Sequence, residues 1–263
     1  MDMQLTGARA FLSGSTQGIG YAIARGLAAE GSHVVLHGRE GSRVEAASAR
    51  LRAEVPGATV SGMAADVASG AETDRLASEL GDVDILVNNV GEFGLRDFAD
   101  LTDDDWRRSL DVNLMSAVRL SRAALPGMLA RGKGRILFIG TESAVDVPAD
   151  MLHYGVAKAG ALALANGLAK VTQGTAVTVN TILGGPTYSD GVAATVRQIA
   201  DAQGMTETEL QAAIIAQRSS SLLGRFIEPN EIAALAVYLA SPLSSATNGA
   251  ALRADGGVLT TTT

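Results

Sequence analysis

Ser13-Gly14-Ser15-Thr16-Gln17-Gly18-Ile19-Gly20 is the stretch that decides how this chain is built. Ahead of it, Ala8 to Leu12 reads as a short buried strand. Behind it, Tyr21 to Glu30 carries Ile23, Ala24 and Leu27 at helical spacing until Gly31 stops the helix. Strand, glycine-rich turn and helix in that order let backbone N–H groups and the positive end of the helix dipole approach a pyrophosphate. The spacing is G-x-x-x-G-x-G, which taken alone is equally an ordinary tight turn; its place between strand and helix favours the phosphate.

The same alternation continues outward. Val34 to Leu36 reads as a second strand, Arg43 to Glu54 as a helix ended by Pro56-Gly57, and Thr59 to Ala64 as a third strand. Ala71 to Leu80 is the next helix and Asp84 to Val87 the fourth strand. Thr102 caps the acidic start Asp103-Asp104-Asp105 of a long helix running towards Met128. Arg135 to Ile139 is the fifth strand, Tyr154 to Lys170 a helix and Ala176 to Ile182 the sixth strand. Glu231 to Leu239 and Gly249 to Val258 close the chain as helix, loop and seventh strand, ahead of the polar tail Thr260 to Thr263. Strands separated by helices of this length require right-handed parallel crossovers, hence an α/β doubly wound sheet of about seven strands with helices on both faces. Thr187 to Leu222 breaks the rhythm. It is too long for a simple connection and carries helical spacing over Val192 to Gln203 and Thr206 to Arg218, which marks a substrate lid.

Composition sets limits. The 263 residues, 47% of them hydrophobic, suffice for one domain spanning 1–263. A net charge of −7, with 21 basic residues scattered among 28 acids, argues against a nucleic-acid surface. The absence of Cys removes disulfides and thiolate metal sites, and His33, His37 and His153 are too few and too scattered to suggest a metal centre. No stretch approaches the roughly 18 apolar residues of a membrane span, so a cytoplasmic protein is expected.

Chemistry enters at Tyr154-Gly155-Val156-Ala157-Lys158. Residues four apart share a helix face, so the Lys ammonium can sit beside the phenol and favour its ionised form. With Ser13 to Gly20, Asp66-Val67, Asn88-Asn89-Val90-Gly91, Asp111-Val112-Asn113-Leu114, Gly224-Arg225 to Ile232 and Asp255-Gly256-Gly257 in this order, the chain resembles the short-chain dehydrogenase/reductase family over nearly its whole length. It departs from the family in Ser13 for Thr, Val90 for Ala, and Gly184-Gly185-Pro186 where Pro-Gly is usual.

The resemblance implies a single-domain Rossmann fold, an NAD(P)-dependent oxidoreductase interconverting a carbonyl and an alcohol, and a homotetramer. It implies that Tyr154 is the acid, that Lys158 holds the nicotinamide ribose and lowers the Tyr154 pKa, and that Asn113 holds a relay water. The family's Ser, thirteen residues before the Tyr, falls on Thr141, with Ser143 competing for the role. The cofactor set it implies is Gly14, Ser15, Thr16, Gln17, Gly18, Ile19, Gly20, Arg39, Asp66, Val67, Asn89, Gly91, Tyr154, Lys158, Gly185 and Thr187. Glu92, Phe93, Glu142, Ser143, His153 and Tyr188 flank the expected substrate position. At the end of the second strand, His37-Gly38-Arg39 puts Gly where a NAD site places an acid and Arg beside it, which favours NADP over NAD. Gln17, where NADP-preferring members often have Lys or Arg, speaks the other way.

An NADPH-dependent ketone or 3-oxoacyl reductase is therefore the expected activity. A non-catalytic dinucleotide-binding sensor or scaffold is the rival. For an acidic acyl carrier, Arg119, Arg122, Arg131, Lys133 and Arg135 offer a candidate basic patch.

Overall fold

A computed structural model describes residues 1–216 and 220–261. Its strands are β1 (Arg9–Leu12), β2 (His33–Gly38), β3 (Val60–Ala64), β4 (Ile85–Asn88), β5 (Lys133–Thr141), β6 (Ala176–Gly184) and β7 (Ala251–Ala254). They form one sheet in the order β3-β2-β1-β4-β5-β6-β7, parallel at every pairing. The order reverses beside β1, and in such sheets ligands bind at the carboxyl ends of the strands next to that reversal.

Period-two alternation sends the two faces into separate cores. Ala10 and Leu12 of β1 pack with α1 (Gly18–Ala29), α2 (Gly41–Glu54) and α9 (Pro229–Ala240) on one side. Phe11, between them in sequence, packs with α3 (Gly70–Leu80), α5 (Ser116–Arg131) and α6 (Leu152–Val171) on the other. The doubly wound α/β architecture with helices on both faces is as the alternation requires.

The long helix expected after Thr102 is not uniform. Thr102 caps α4 (Asp103–Leu110) in a capping box: its Oγ1 accepts the Asp105 N–H at 3.2 Å, and the Asp105 carboxylate accepts the Thr102 N–H at 2.9 Å. Between α4 and α5, Asp111–Met115 widens into a π-helical turn. Such turns cluster at functional sites because they re-aim a side chain without breaking the helix. The side chain re-aimed here is Asn113.

After β6, α7 (Asp190–Gln203) and α8 (Glu207–Ala216) pack on each other through Val196, Ala200 and Leu210. The helix expected to reach Arg218 runs onto residues 217 and 218, outside the described residues, as do 262 and 263 of the C-terminal tail. Thr187 and Tyr188 tether the segment's start: Thr187 bridges to Ile227, and the Tyr188 N–H donates to the Ile227 carbonyl at 2.8 Å. Among the described residues, no helix is long and apolar enough to cross a membrane.

Three of the candidate basic residues are taken up by partners within the fold. Arg119 pairs with Asp111 at 2.9 Å, Arg131 with Asp82 at 2.6 Å, and Arg135 is buried, donating to backbone carbonyls of Gly134, Ala176 and Ser241. Lys133 and Arg135 also lie near the start of β5, roughly 26 and 20 Å of extended strand from Thr141 at its other end.

Candidate active site

The glycine-rich turn is held from below. Ser13 and Ser15 are fully buried; the Ser13 hydroxyl accepts the Asn89 N–H at 2.9 Å, and that of Ser15 donates to the Leu12 carbonyl and accepts the His37 N–H. Asn89 reaches across from β4 to donate its amide to the Ser13 and Gly14 carbonyls at 3.1 and 2.8 Å. Two glycines are required as such. Gly18 has φ +59, a left-handed conformation costly for other residues, and a Cβ on Gly20 would come within 2.4 Å of Asn89 Nδ2. Gly18 opens α1, and its N–H donates to Asp190 Oδ2 at 2.6 Å, so a carboxylate from the start of α7 rests on the positive helix end.

His37, named from sequence only as the start of the segment ending the second strand, is part of this support. Its Nδ1 accepts the Gly14 N–H at 3.2 Å while Nε2 lies 3.0 Å from the Ala65 carbonyl, which fixes the neutral tautomer with the proton on Nε2. Burial pushes the imidazole down to about 4, partly opposed by the Ala65 carbonyl and the Asp66 charge.

A cleft of about 530 Å³ runs from this turn along the strand ends, with Thr16, Gln17 and Ile19, then Asp66 and Val67, then Gly91, Glu92 and Phe93 on its walls. At the far end of β2 it is lined by Gly38, Arg39 and Arg43. A Cβ on Gly38 would come within 2.8 Å of Thr16 Cγ2 and 3.2 Å of Val44 Cγ2, so any side chain there would have to displace both. Glu40, the other possible partner of Arg39, pairs with Arg43 at 3.0 Å. The residues fit a ribose 2′-phosphate better than a free 2′-hydroxyl. Arg43 is a second cation at this corner that the motif reading missed, because it lies a helical turn beyond the motif.

Beside Gly91 at the cleft's inner end, the four expected reaction residues come from three elements: Asn113 from the π-helical turn, Thr141 from the end of β5, and Tyr154 and Lys158 from α6. Lys158, on α6, is buried, its ammonium donating to the Val90 carbonyl at 3.3 Å and the Ile139 carbonyl at 3.2 Å. Burial pulls it down to about 8, so at neutral pH it still carries its charge. Asn113 Nδ2 donates to the Glu92 and Ser109 carbonyls at 2.9 and 3.1 Å, and its Oδ1 accepts the Glu92 N–H at 3.0 Å. The π turn thus aims Asn113 so that it pins the loop after β4. A Cβ on Gly91 would lie 3.2 Å from Lys158 Nζ and 3.5 Å from Asn113 Oδ1, which shows how tightly these groups meet.

The Thr141 hydroxyl is close enough to the Tyr154 phenol to favour its ionised form. Ser143 is buried beside it, its N–H donating to Thr141 Oγ1 at 3.2 Å. One expectation is reversed. The phenol is pushed up, first by burial and then by the Glu142 charge, with the Thr141 hydrogen bond opposing them. Lys158 does not offset this, because its ammonium is spent on two backbone carbonyls and stands 5.9 Å from the phenol ring centroid.

The flanking residues divide. Phe93 packs edge-on against Tyr154 at 6.1 Å between centroids, and Glu142, 5% exposed, accepts the Thr141 hydroxyl. Glu92 is closed on Arg108 by two hydrogen bonds of 2.8 and 2.7 Å. His153 lines a neighbouring 250 Å³ hollow with Arg96 and Arg108. Tyr188 turns away, its ring on Phe226 and its hydroxyl donating to Glu207 at 2.9 Å. Thr187 donates to the Gly185 carbonyl, and a Cβ on Gly185 would collide with the Asp255 backbone at 2.4 Å.

Residues 14–259 match the family model described as Enoyl-(Acyl carrier protein) reductase. The chain is 42% identical over 267 residues to an uncharacterized oxidoreductase, YvrD, of Bacillus subtilis, covering 98% of this chain and 99% of that one. It is 30% identical over 265 residues to the 3-oxoacyl-[acyl-carrier-protein] reductase of Vibrio cholerae, covering 97% and 99%. Among solved structures, L-sorbose reductase from Gluconobacter frateurii, complexed with NADPH and L-sorbose, superposes with a TM-score of 0.94 at 32% identity, covering 99% of this chain and all of the other.

Proposed function

We infer what the site does from where the chain belongs: it is a member of the short-chain dehydrogenase/reductase family and an NAD(P)-dependent oxidoreductase that interconverts a carbonyl and an alcohol. NADP is its cofactor, and reduction of a ketone or a 3-oxoacyl group is its reaction. The observation that carries the reading is the meeting of Thr141, Tyr154, Lys158 and Asn113 beside Gly91, which lines a cleft whose outer corner holds Arg39 and Arg43 and crowds any side chain at Gly38.

Each residue then has a task. Gly14 to Gly20 and the start of α1 receive the pyrophosphate, and Arg39 with Arg43 receives the 2′-phosphate. Asp66, Val67, Asn89 and Gly91 shape the middle of the cleft. Bound NADPH supplies hydride. Lys158, positioned by the Val90 and Ile139 carbonyls, binds the nicotinamide ribose hydroxyls. Tyr154 gives its proton to the carbonyl oxygen and takes it back in the reverse direction. Thr141 orients that oxygen, and Asn113 keeps the loop bearing Glu92 and Phe93 against the pocket.

The segment from Thr187 to Leu222 acts as the lid of one catalytic domain. Assembly as a homotetramer would cover the half-buried Leu129, Leu164 and Leu168 that line an apolar groove between α5 and α6. Residence in the cytoplasm accords with this chemistry. The rival reading, a binder without turnover, gives no use to the converged Tyr154, Lys158 and Thr141. The test is steady-state consumption of NADPH over a panel of hydroxyketones, simple ketones and 3-oxoacyl thioesters. Turnover with any of them supports the assignment; NADPH binding with no turnover on all of them favours the binder.

A further inference from the structure

Arg119 and Asp111 stand eight residues apart on one continuous helical rod, and Arg119 Nη2 donates to Asp111 Oδ1 at 2.9 Å. Eight residues of regular α-helix make about 2.2 turns and would leave the two roughly 80° apart around the axis. The π turn Asp111–Met115 takes up one residue more than an α turn, so the same span closes about 1.9 turns and brings Arg119 back to within about 20° of Asp111. The ion pair and the wide turn therefore support each other. If the turn relaxed to α-helical winding, Asp111 would leave the guanidinium and Asn113 would lose its aim at Glu92, whose N–H and carbonyl it now holds.

The same guanidinium has a second grip. Its Nη1 donates to the Ala68 carbonyl at 2.7 Å and to the Val67 carbonyl at 3.3 Å, the latter shared with the Thr73 hydroxyl. These carbonyls belong to the loop between β3 and α3, whose Asp66, Val67 and Ala68 line the cleft together with Val112 of the π turn. Two N–H groups of that loop are held locally: the Glu72 carboxylate accepts that of Asp66 at 2.7 Å, and the Asp66 carboxylate accepts that of Ala68 at 3.0 Å. Arg119 ties the loop to α5 instead. Its side chain is 17% exposed, and its planar fork of donors reaches a carboxylate at one tip and carbonyls at the other, which a single ammonium could not span.

We propose that Arg119 is a positioning residue that holds the π turn wide against Asp111 and the cleft wall at Val67 and Ala68 in one grip, so that the cofactor site and Asn113 keep a fixed relative placement. The kinetic part of this role rests on the reductase reading given above; the structural part stands without it.

The test compares Asp111→Ala, which removes one grip, with Arg119→Met, which removes both and keeps the apolar stem. The first readout needs no cofactor. It is amide hydrogen exchange at Glu92, whose N–H is bonded to Asn113, with the His37 amide, bonded to the Ser15 hydroxyl, as the reference for overall loosening. Exchange at Glu92 should quicken about tenfold in both variants, and that at His37 should not change. A Glu92 amide as slow as the parent's in Asp111→Ala overturns the proposal, and so does equal quickening at the two amides. In the double variant Glu92 should exchange no faster than in Arg119→Met alone; multiplied effects contradict a shared grip. The second readout is NADPH titration, in which Arg119→Met should bind about fivefold more weakly and Asp111→Ala within about twofold of the parent. Unchanged affinity in Arg119→Met overturns the hold on the wall. With a carbonyl substrate, Asp111→Ala should lower kcat several-fold and leave KM for NADPH in place, a split that a general loss of stability would not give. Should Arg119→Met fail to fold, Asp111→Ala, at a carboxylate 45% exposed, decides the exchange test by itself. A parent protein that reduces no carbonyl compound sinks the reductase reading instead, and exchange at Glu92 still decides the role of Arg119.

Discussion

Replacing Asp190 with Asn should tighten NADPH binding, although Asp190 begins α7 and belongs to none of the family's motifs. Its Oδ2 accepts the Gly18 N–H at 2.6 Å, at the positive end of α1 where the pyrophosphate is to be received. Ser189, beside it, comes within 3.4 Å of where a Gly18 Cβ would lie, so the start of α7 rests on the turn. The dinucleotide must displace this carboxylate to reach the N–H. A sheltered hydrogen bond to a charged group contributes about 1.5–3 kcal/mol; Asp190 is exposed, so about 1 kcal/mol is the appropriate scale. At 1.4 kcal/mol per decade, that corresponds to roughly a fivefold lower Kd. Asn keeps the size and loses the charge, at a cost to α7 of a few tenths of a kcal/mol from the helix dipole. The assay is a fluorescence titration of NADPH at fixed ionic strength, with Tm measured on both proteins. Unchanged or weaker binding by a protein of unaltered Tm would refute the claim that Asp190 stands in the phosphate's place.

Three further outcomes follow from the same geometry. Protonation of His37 at Nδ1 would put an N–H against the Gly14 N–H, and its folded value of about 4 lies below the ordinary 6.5. The unfolded chain therefore binds this proton more readily between those values, and stability should fall by up to ~3 kcal/mol as pH drops from about 6.5 to 4. Chemical denaturation across that range should show the slope, and His37→Gln should flatten it. Arg39→Ala should weaken NADPH about tenfold and leave NADH nearly unchanged, read as the ratio of the two Kd values. Equal losses for both would contradict the 2′-phosphate assignment. Lys158→Met should remove activity yet stabilise the cofactor-free protein at neutral pH. The folded value of about 8 against the ordinary 10.5 sets an upper bound of ~3 kcal/mol on the gain. In the parent protein that same burial cost is relieved as pH rises from about 8 to 10.5, so its stability should climb there and that of the Met variant should not.

The order of elements was legible because buried parallel strands and amphipathic helices leave different periods, and Ala10, Phe11 and Leu12 do divide between two cores. The motif residues were legible for the same reason that motifs exist: a backbone approach needs Gly18 and Gly20, and proton transfer needs Tyr154. What stayed hidden depends on three-dimensional closeness between residues distant in sequence. Nothing in Asp111–Met115 marks a π turn, since the extra residue shows only in the backbone bonding. The supporting role of His37 was hidden because its partners, Gly14 and Ala65, lie 23 and 28 positions away. The direction of the Tyr154 shift was misread because helix spacing puts Lys158 on the right face but cannot show that its ammonium is already bound to Val90 and Ile139. Tyr188 was placed by its motif neighbours, whereas its ring follows Phe226 and its hydroxyl follows Glu207.

The most direct measurement of the central claim is a paired one on Tyr154→Phe: NADPH affinity by titration, and NADPH consumption with a ketone substrate of the parent protein. The phenol is the proton donor in this account, and the cofactor cleft is built from other side chains. The variant should therefore bind NADPH within about twofold of the parent and lose at least about a hundredfold in kcat, the lower end of general acid catalysis. Turnover at the parent level would contradict it.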